Sequence, residues 1–151
     1  YIEELETVGR ILTGGKRLTD GELAKGLFCA PTIAVDVPIT HFLWKHEMFL
    51  PITMVLSVDS LEEAMGYAND IDYGLTAGFM GSPEEGEWFL ENIQAGVCYV
   101  NRVMGSTTGA WPGFQPFGGW KASGSTGRNT GGPYALLSYM REQSRTRVSK
   151  L

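Results

Sequence analysis

Between Pro51 and Val100 the spacing of the apolar residues switches period again and again, and no other stretch restricts the fold as much. It opens with Pro51-Ile52-Thr53-Met54-Val55-Leu56-Ser57-Val58, a nearly continuous β-rich run. That is the pattern of a strand buried on both faces, as in a parallel sheet. Ser60-x-x-Glu63 follows as a capping box, and Leu61, Ala64, Met65, Ala68 and Ile71 then recur at helical spacing, which predicts a helix over Leu61 to Asp70. Leu75 to Met80 reads as a strand. Ser82-Pro83-x-Glu85 repeats the start signal with proline at the first helical position, Phe89, Leu90 and Ile93 supply the apolar stripe, and Gly96 is the expected stop. Val97-Cys98-Tyr99-Val100 is the next strand. Strand, helix, strand, helix, strand amounts to two consecutive βαβ crossovers, which predict an α/β fold on a parallel sheet with right-handed connections.

The flanks add shorter elements. Ile2 and Leu5 are apolar at i,i+3 with no N-cap ahead of them and no starting Met, so the chain is expected to begin inside a helix and to be a piece of a longer protein. Arg10-Ile11-Leu12-Thr13 reads as a strand stopped at Gly14-Gly15, and Pro31 to Val37 as a second one. Glycine makes up 20 of the 151 residues, against a typical share of about 7%, and nearly half of these lie between Gly105 and Gly132. From Asn101 to Pro133 no period survives, although Trp111, Phe114, Phe117 and Trp120 fall within it. A loop that long in a compact domain points to function or to packing against something else. Ala135 to Met140 reads as a short helical turn, and the polar stretch Arg141 to Val148 has too few apolar positions to hold itself down, so it is expected to pair with another chain or domain.

Composition removes several classes of function. A length of 151 residues suits one domain, and 43% hydrophobic against 19% charged residues matches a packed soluble protein. The formal net charge of −5, with no basic block, argues against a nucleic-acid partner. No apolar run approaches the ~18 residues of a membrane span. Cys29 and Cys98 lie too far apart for a disulfide framework or a C-x-x-C site, and a reducing, cytoplasmic setting is expected.

Few residues then compete for chemistry. A thiolate beside a base is a common nucleophile toward carbonyls, yet Cys98 lies in a predicted strand and Cys29 precedes Ala30-Pro31 with no helix N-terminus to acidify it. Both read as packed small hydrophobes. His41 and His46 with Glu47 are too few and badly spaced for a metal, and none is expected. Gly118-Gly119-Trp120-Lys121-Ala122-Ser123-Gly124 fits neither G-x-x-x-x-G-K-[ST] nor G-x-G-x-x-G, so its glycines are expected to let backbone pass close to a ligand or another domain. Glu47 and Phe49 form the sharper pair, just ahead of the predicted strand at Pro51. Crevices at strand ends of α/β sheets hold ligands, and there a carboxylate can hold a ribose while an aromatic stacks on a ring. The plain alternative is a solvated Glu and a core Phe.

Four stretches, in this order, resemble the C-terminal part of the aldehyde dehydrogenase catalytic domain. They are Glu47-Met48-Phe49-Leu50-Pro51; Glu63-Ala64 through Ala68-Asn69 to Tyr73-Gly74-Leu75; Gly96 to Asn101; and Pro116-Phe117-Gly118-Gly119-Trp120-Lys121-Ala122-Ser123-Gly124. The resemblance runs from Ile11 to Val148, and Leu50 departs from it where most members have glycine. It implies nicotinamide-dependent oxidation of an aldehyde to an acid, through a thiohemiacetal and a thioester on a catalytic cysteine. In the family that cysteine, the general-base glutamate and the dinucleotide-binding domain all precede the matched region. The resemblance therefore implies no catalytic residue in this chain and no activity of the chain alone.

What it does imply is a set of contacts. NAD is the implied cofactor, with Glu47 bonding the hydroxyls of the nicotinamide ribose, Phe49 packing near the nicotinamide and Phe117 lining the substrate pocket. Thr108-Gly109-Ala110 followed by Gln115-Pro116-Phe117-Gly118-Gly119 resembles the anchor loop of the members that oxidise L-glutamate γ-semialdehyde, the Δ1-pyrroline-5-carboxylate dehydrogenases of proline catabolism. There backbone N–H groups bind the α-carboxylate of a small aldehyde acid, as a glycine-flanked turn can when it exposes adjacent donors. Gly132-Pro133-Tyr134 and Met140 to Thr146 look like the same branch. Residues 1–138 then correspond to catalytic domain and residues 139–151 to a tail that joins a sheet across a homo-oligomer. Two other readings stay open, a parent protein acting on another aldehyde and a non-catalytic module binding a partner through its aromatic-rich loop.

Overall fold

A computed structural model describes residues 1–103, 110–111, 113–124, 128 and 130–149. The architecture is α/β, and the chain divides into two compact units, Tyr1–Glu63 and Ala64–Leu151.

The first unit opens with α1 (Ile2–Val8) and turns at Gly9 into β1 (Arg10–Thr13). β1 pairs antiparallel with β2 (Thr32–Val35), and β2 pairs parallel with β3 (Ile52–Met54), giving the order β1-β2-β3. Gly14 and Gly15 end β1 at φ +80° and +68°, a left-handed pair that glycine adopts without steric cost. Along β2 the burial alternates: Thr32 and Ala34 are closed off while Ile33 is exposed. That is the period of two expected of a strand with one buried face. Leu5 from α1, Ala34 from β2, Val37 and Leu43 make the core of this unit.

The run Pro51 to Val58 shortens to β3, and it is not buried on both faces, since Val55 and Leu56 are exposed. The reason lies in its neighbour. Val55 N–H still donates to Ala34 O at 2.9 Å, but β2 ends at Val35 and Asp36 turns away at φ +60°, tied to Arg10 Nε at 3.0 Å. The ladder has no further rungs to offer.

α2 (Leu61–Asn69) begins at the expected Ser60 and Glu63, with Glu63 N–H donating to Ser60 Oγ at 3.1 Å and Glu63 Oε2 accepting from the Asp59 N–H at 2.9 Å. In the second unit β5 (Thr76–Phe79), α3 (Pro83–Asn92) and β6 (Val97–Val100) form one βαβ crossover, with β5 and β6 parallel from Thr76↔Val97 to Phe79↔Val100. α3 has a complete capping box: Glu85 N–H donates to Ser82 Oγ and Ser82 N–H to Glu85 Oε2. Phe89, Ile93 and Ala95 are buried against this pair of strands, with the Phe79 and Phe89 rings stacked at 5.2 Å.

Three expectations are corrected here. Of the two expected crossovers, the one from β5 through α3 to β6 forms within the second unit, while in the first unit the parallel partner of β3 is β2. α3 stops at Asn92, four residues before Gly96. The stretch from Asn101 to Pro133 is not structureless, since it contains β7 (Trp120–Lys121), antiparallel to β4 (Tyr73–Gly74), and a bridge between Phe117 and Thr130. Two- and one-residue pairings are too short to leave a period in a sequence. The helical turn appears at Ala135–Tyr139, and residues 141–149 are exposed without regular structure.

Candidate functional site

The segment from Val37 to Pro51 is pinned at both ends. At its start Leu43 is buried within a short 3-10 helix, Phe42–Trp44, and Trp44 Nε1 donates to Val37 O at 3.4 Å. His41 caps that helix by accepting from Leu43 N–H, and its Nε2 lies 3.1 Å from Glu4 Oε1 of α1. His46 Nε2 lies 2.6 Å from Tyr1 Oη. At its end Thr32 N–H donates to Pro51 O at 2.8 Å, joining the segment to β2.

Between these anchors the chain bows out around a cleft of about 640 Å³. That volume falls in the range of roughly 300–1,000 Å³ that small-molecule sites occupy. Glu47, Met48, Phe49 and Leu50 all line it, together with His46 and Trp44. Glu47 is exposed, so its carboxylate is free to meet a ligand hydroxyl. Phe49 is 89% exposed and sits at φ +54°. A bulky aromatic in the left-handed region costs on the order of 1–3 kcal/mol, and such strain clusters at binding sites. Burial does not offset it, which contradicts the plain alternative of a core Phe.

The second unit carries the other expected residues. Ala110 is buried, and directly after it Trp111 N–H donates to Gln115 Oε1 at 2.8 Å while Gln115 N–H returns to Trp111 O at 2.8 Å. The Arg102 guanidinium lies 5.1 Å from the centre of the Trp111 ring. Phe117 is half-buried and fixed by two backbone bonds to Thr130, at 2.7 and 2.9 Å. Thr108 and Gly109 lie outside the described residues.

Cys98 is half-buried in β6, and burial pushes its thiol above the usual range, the reverse of what activates a nucleophile. Cys29 sits at a bridge to Arg17. Among the described residues no three His, Cys, Asp or Glu side chains gather as metal ligands, and no helix is long and apolar enough to cross a membrane.

Residues 1–144 match the aldehyde dehydrogenase family. The chain belongs to that family. Among solved structures it is similar to a 1-pyrroline-5-carboxylate dehydrogenase from Thermus with bound NAD, at 39% identity and TM-score 0.77, covering 91% of this chain and 25% of that one. It is similar to a Mycobacterium tuberculosis aldehyde dehydrogenase complexed with NAD+ at 29% identity and TM-score 0.77, covering 92% and 27%. It is also similar to the indole-3-acetaldehyde dehydrogenase of P. syringae in complex with NAD+, at 30% identity and TM-score 0.78, covering 92% and 27%. The aldehyde dehydrogenase chain described here thus spans about a quarter of the length of these proteins.

Within this member of the family the Gly118–Gly124 motif works in a way the sequence does not announce. Lys121 Nζ donates to Asn69 O at 2.7 Å and to Ile71 O at 3.0 Å, satisfying carbonyls at the C-terminal end of α2. Ser123 Oγ accepts from Gly74 N–H at 3.1 Å. Asn69 in turn bonds Asn92 O and Gln94 N–H, and Asn101 bonds both backbone groups of Gly81, so two side-chain amides clamp the ends of the βαβ unit. Each partner lies 20 or more residues away in sequence, beyond any local spacing rule. The close passage expected of the glycines is real, but Gly118 passes the backbone of Gly96.

Proposed function

We propose that this chain supplies the nicotinamide-ribose contacts and the substrate-carboxylate contacts of an NAD-dependent aldehyde dehydrogenase. The whole protein's reaction is the oxidation of L-glutamate γ-semialdehyde to L-glutamate, as in proline catabolism. One observation carries the cofactor half, the presence of Glu47 and a displayed Phe49 on a single cleft. An ionised carboxylate accepts only, so it suits the two hydroxyls of a ribose, and the open Phe49 ring suits a flat heteroaromatic ring. NAD, when bound, accepts the hydride that leaves the aldehyde carbon; the work of Glu47 and Phe49 is to orient the ring that takes it.

For the substrate half, Thr108, Gly109 and Ala110 offer backbone N–H groups to the α-carboxylate, and Phe117 offers an apolar wall. Similarity to the Thermus 1-pyrroline-5-carboxylate dehydrogenase supports that choice of aldehyde. The nucleophile and base come from outside these 151 residues, and the raised thiol of Cys98 fits that assignment. Residues 139–151 act in homo-oligomer assembly, and the protein works in the cytoplasm.

The test uses the full-length protein that contains this sequence. Glu47→Gln turns a charged acceptor into a neutral amide, and a hydrogen bond to a charged group is worth roughly 1.5–3 kcal/mol. KM for NAD should rise about 10- to 100-fold, and an unchanged value removes Glu47 from the cofactor site. Ala110→Asp should depress kcat/KM for glutamate semialdehyde far more than for an uncharged aliphatic aldehyde. Equal losses on both would transfer the assignment to another aldehyde.

A further inference from the structure

We propose that Gln115 is a positioning residue for the acid end of the substrate, its carboxamide fixing the orientation of the Ala110–Trp111 peptide. The inference rests on the reading of Ala110 as a contact of the substrate's carboxylate. Trp111 is bonded through both of its main-chain groups to the same residue. Its N–H donates to Gln115 Oε1 at 2.8 Å, and its carbonyl accepts from Gln115 N–H at 2.8 Å and from Phe114 N–H at 3.1 Å. The carboxamide hangs from a fixed platform. Phe117 is bonded to Thr130 at 2.7 and 2.9 Å. A Cβ at Gly132 would lie 2.6 Å from Pro116 N and 2.8 Å from Gln115 C, so Gly132 lies directly against the Gln115–Pro116 peptide.

These bonds differ in what they depend on. Those on the Trp111 carbonyl run from backbone to backbone and do not involve the side chain at position 115. The one on the Trp111 N–H ends on the carboxamide oxygen. That N–H belongs to the peptide plane between Ala110 and Trp111, and in a trans peptide the N–H and C=O point opposite ways. With the N–H turned onto Gln115, the Ala110 carbonyl points away from it, and the ψ rotation of Ala110 is set. An anion-binding turn works by facing N–H groups to the ligand. Once the plane is released from Gln115 it can rotate, and a carbonyl that swings round meets a carboxylate oxygen to oxygen. Gln115 itself is exposed, so its side chain is not core filling and can be replaced with little loss of packing.

The test uses steady-state kinetics and thermal melts on the full-length protein that contains this sequence. Gln115→Met keeps the reach of the side chain and replaces its oxygen by a thioether, a weak acceptor. KM for L-glutamate γ-semialdehyde should rise about fivefold, the scale of one hydrogen bond, while kcat and the KM for pentanal each move by less than about twofold. Gln115→Leu, which removes the acceptor by another route, should give the same split. If either variant raises both KM values equally, or lowers kcat on both aldehydes together with Tm, the side chain only supports the fold and the proposal is overturned. The carboxylate reading fails separately, when Ala110→Asp lowers kcat/KM equally for the two aldehydes. If Ala110→Asp discriminates between them and Gln115→Met does not, that reading stands and the positioning role is overturned.

Discussion

One substitution, Gly→Ala, should have opposite signs at two positions 30 residues apart. At Gly96 a Cβ would lie 1.8 Å from Gly118 O and 3.2 Å from Gly119 Cα, while Gly96 N–H donates to Gly74 O at 3.0 Å. An ordinary C···O contact needs about 3.3 Å, so the backbones must part by roughly 1.5 Å. No side chain can swing aside, because the obstacle is a carbonyl. Overpacking of this kind costs about 1–3 kcal/mol, and losing the bond to Gly74 adds about 1 kcal/mol. A loss of about 3 kcal/mol follows, and at about 3 °C per kcal/mol for a chain this long Tm should fall by about 9 °C. At Gly66, exposed on α2 with nothing within 4 Å of a Cβ, the same change removes glycine's helix penalty. It should stabilise by about 0.8 kcal/mol, raising Tm by about 2 °C. Paired thermal melts followed by circular dichroism read both. A Gly96→Ala protein melting within 2 °C of the parent would refute the close approach, and a Gly66→Ala protein that melts lower would refute the open helix face.

Lys121→Met should leave the carbonyls of Asn69 and Ile71 without their donor, costing about 2 kcal/mol; an urea midpoint equal to the parent's would show the ammonium to be dispensable. Cys98 should react with Ellman's reagent far more slowly in the folded protein than in urea, because burial raises its thiol and disfavours the thiolate; equal rates would contradict its place in β6. The Glu85 carboxyl is held below its ordinary value of 4.5 by the Ser82 N–H, then by the Ser82 hydroxyl. Its folded value is depressed, so the cap is fully present above the unfolded value and is lost as pH falls through the lowered one. A carbon-detected NMR titration should find Glu85 with a midpoint below 4.5, and Ser82→Ala should return it toward that value.

The elements that could be read from the sequence are those whose causes are local. Ser82 and Glu85 lie three apart and cap α3, Ser60 and Glu63 do the same for α2, and Gly14-Gly15 stops β1, each a short-range hydrogen bond or dihedral preference. Strand pairing is another matter. Pro51 to Val58 has the composition of a central strand, yet its length is set by where β2 ends, at the turn of Asp36 held by Arg10. Nothing within the run itself encodes that end. Glu47 and Phe49 could be singled out as a pair because they lie two apart along the chain, but the segment that carries them is tied down by a bond from Thr32 to Pro51, between distant stretches of sequence.

The glycine-rich motif makes the same point from the other direction. Its spacing fits neither G-x-x-x-x-G-K-[ST] nor G-x-G-x-x-G, and its composition says only that backbone must approach something closely. What it approaches is the chain's own Gly96, with no room for a Cβ between them, while Lys121 and Ser123 from the same stretch reach back about 50 residues to the end of α2 and to β4. A motif held by such contacts is constrained by the chain's own backbone at nearly every position. The same contacts fix the backbone that follows Phe117, which is itself bonded on both backbone groups to Thr130. On this argument substitutions at Gly118, Gly119 and Lys121 should lower Tm in thermal melts, whereas Glu47→Gln, the test of the proposed cofactor contact, should leave Tm in place, since the Glu47 carboxylate is exposed and stands outside the core of its unit.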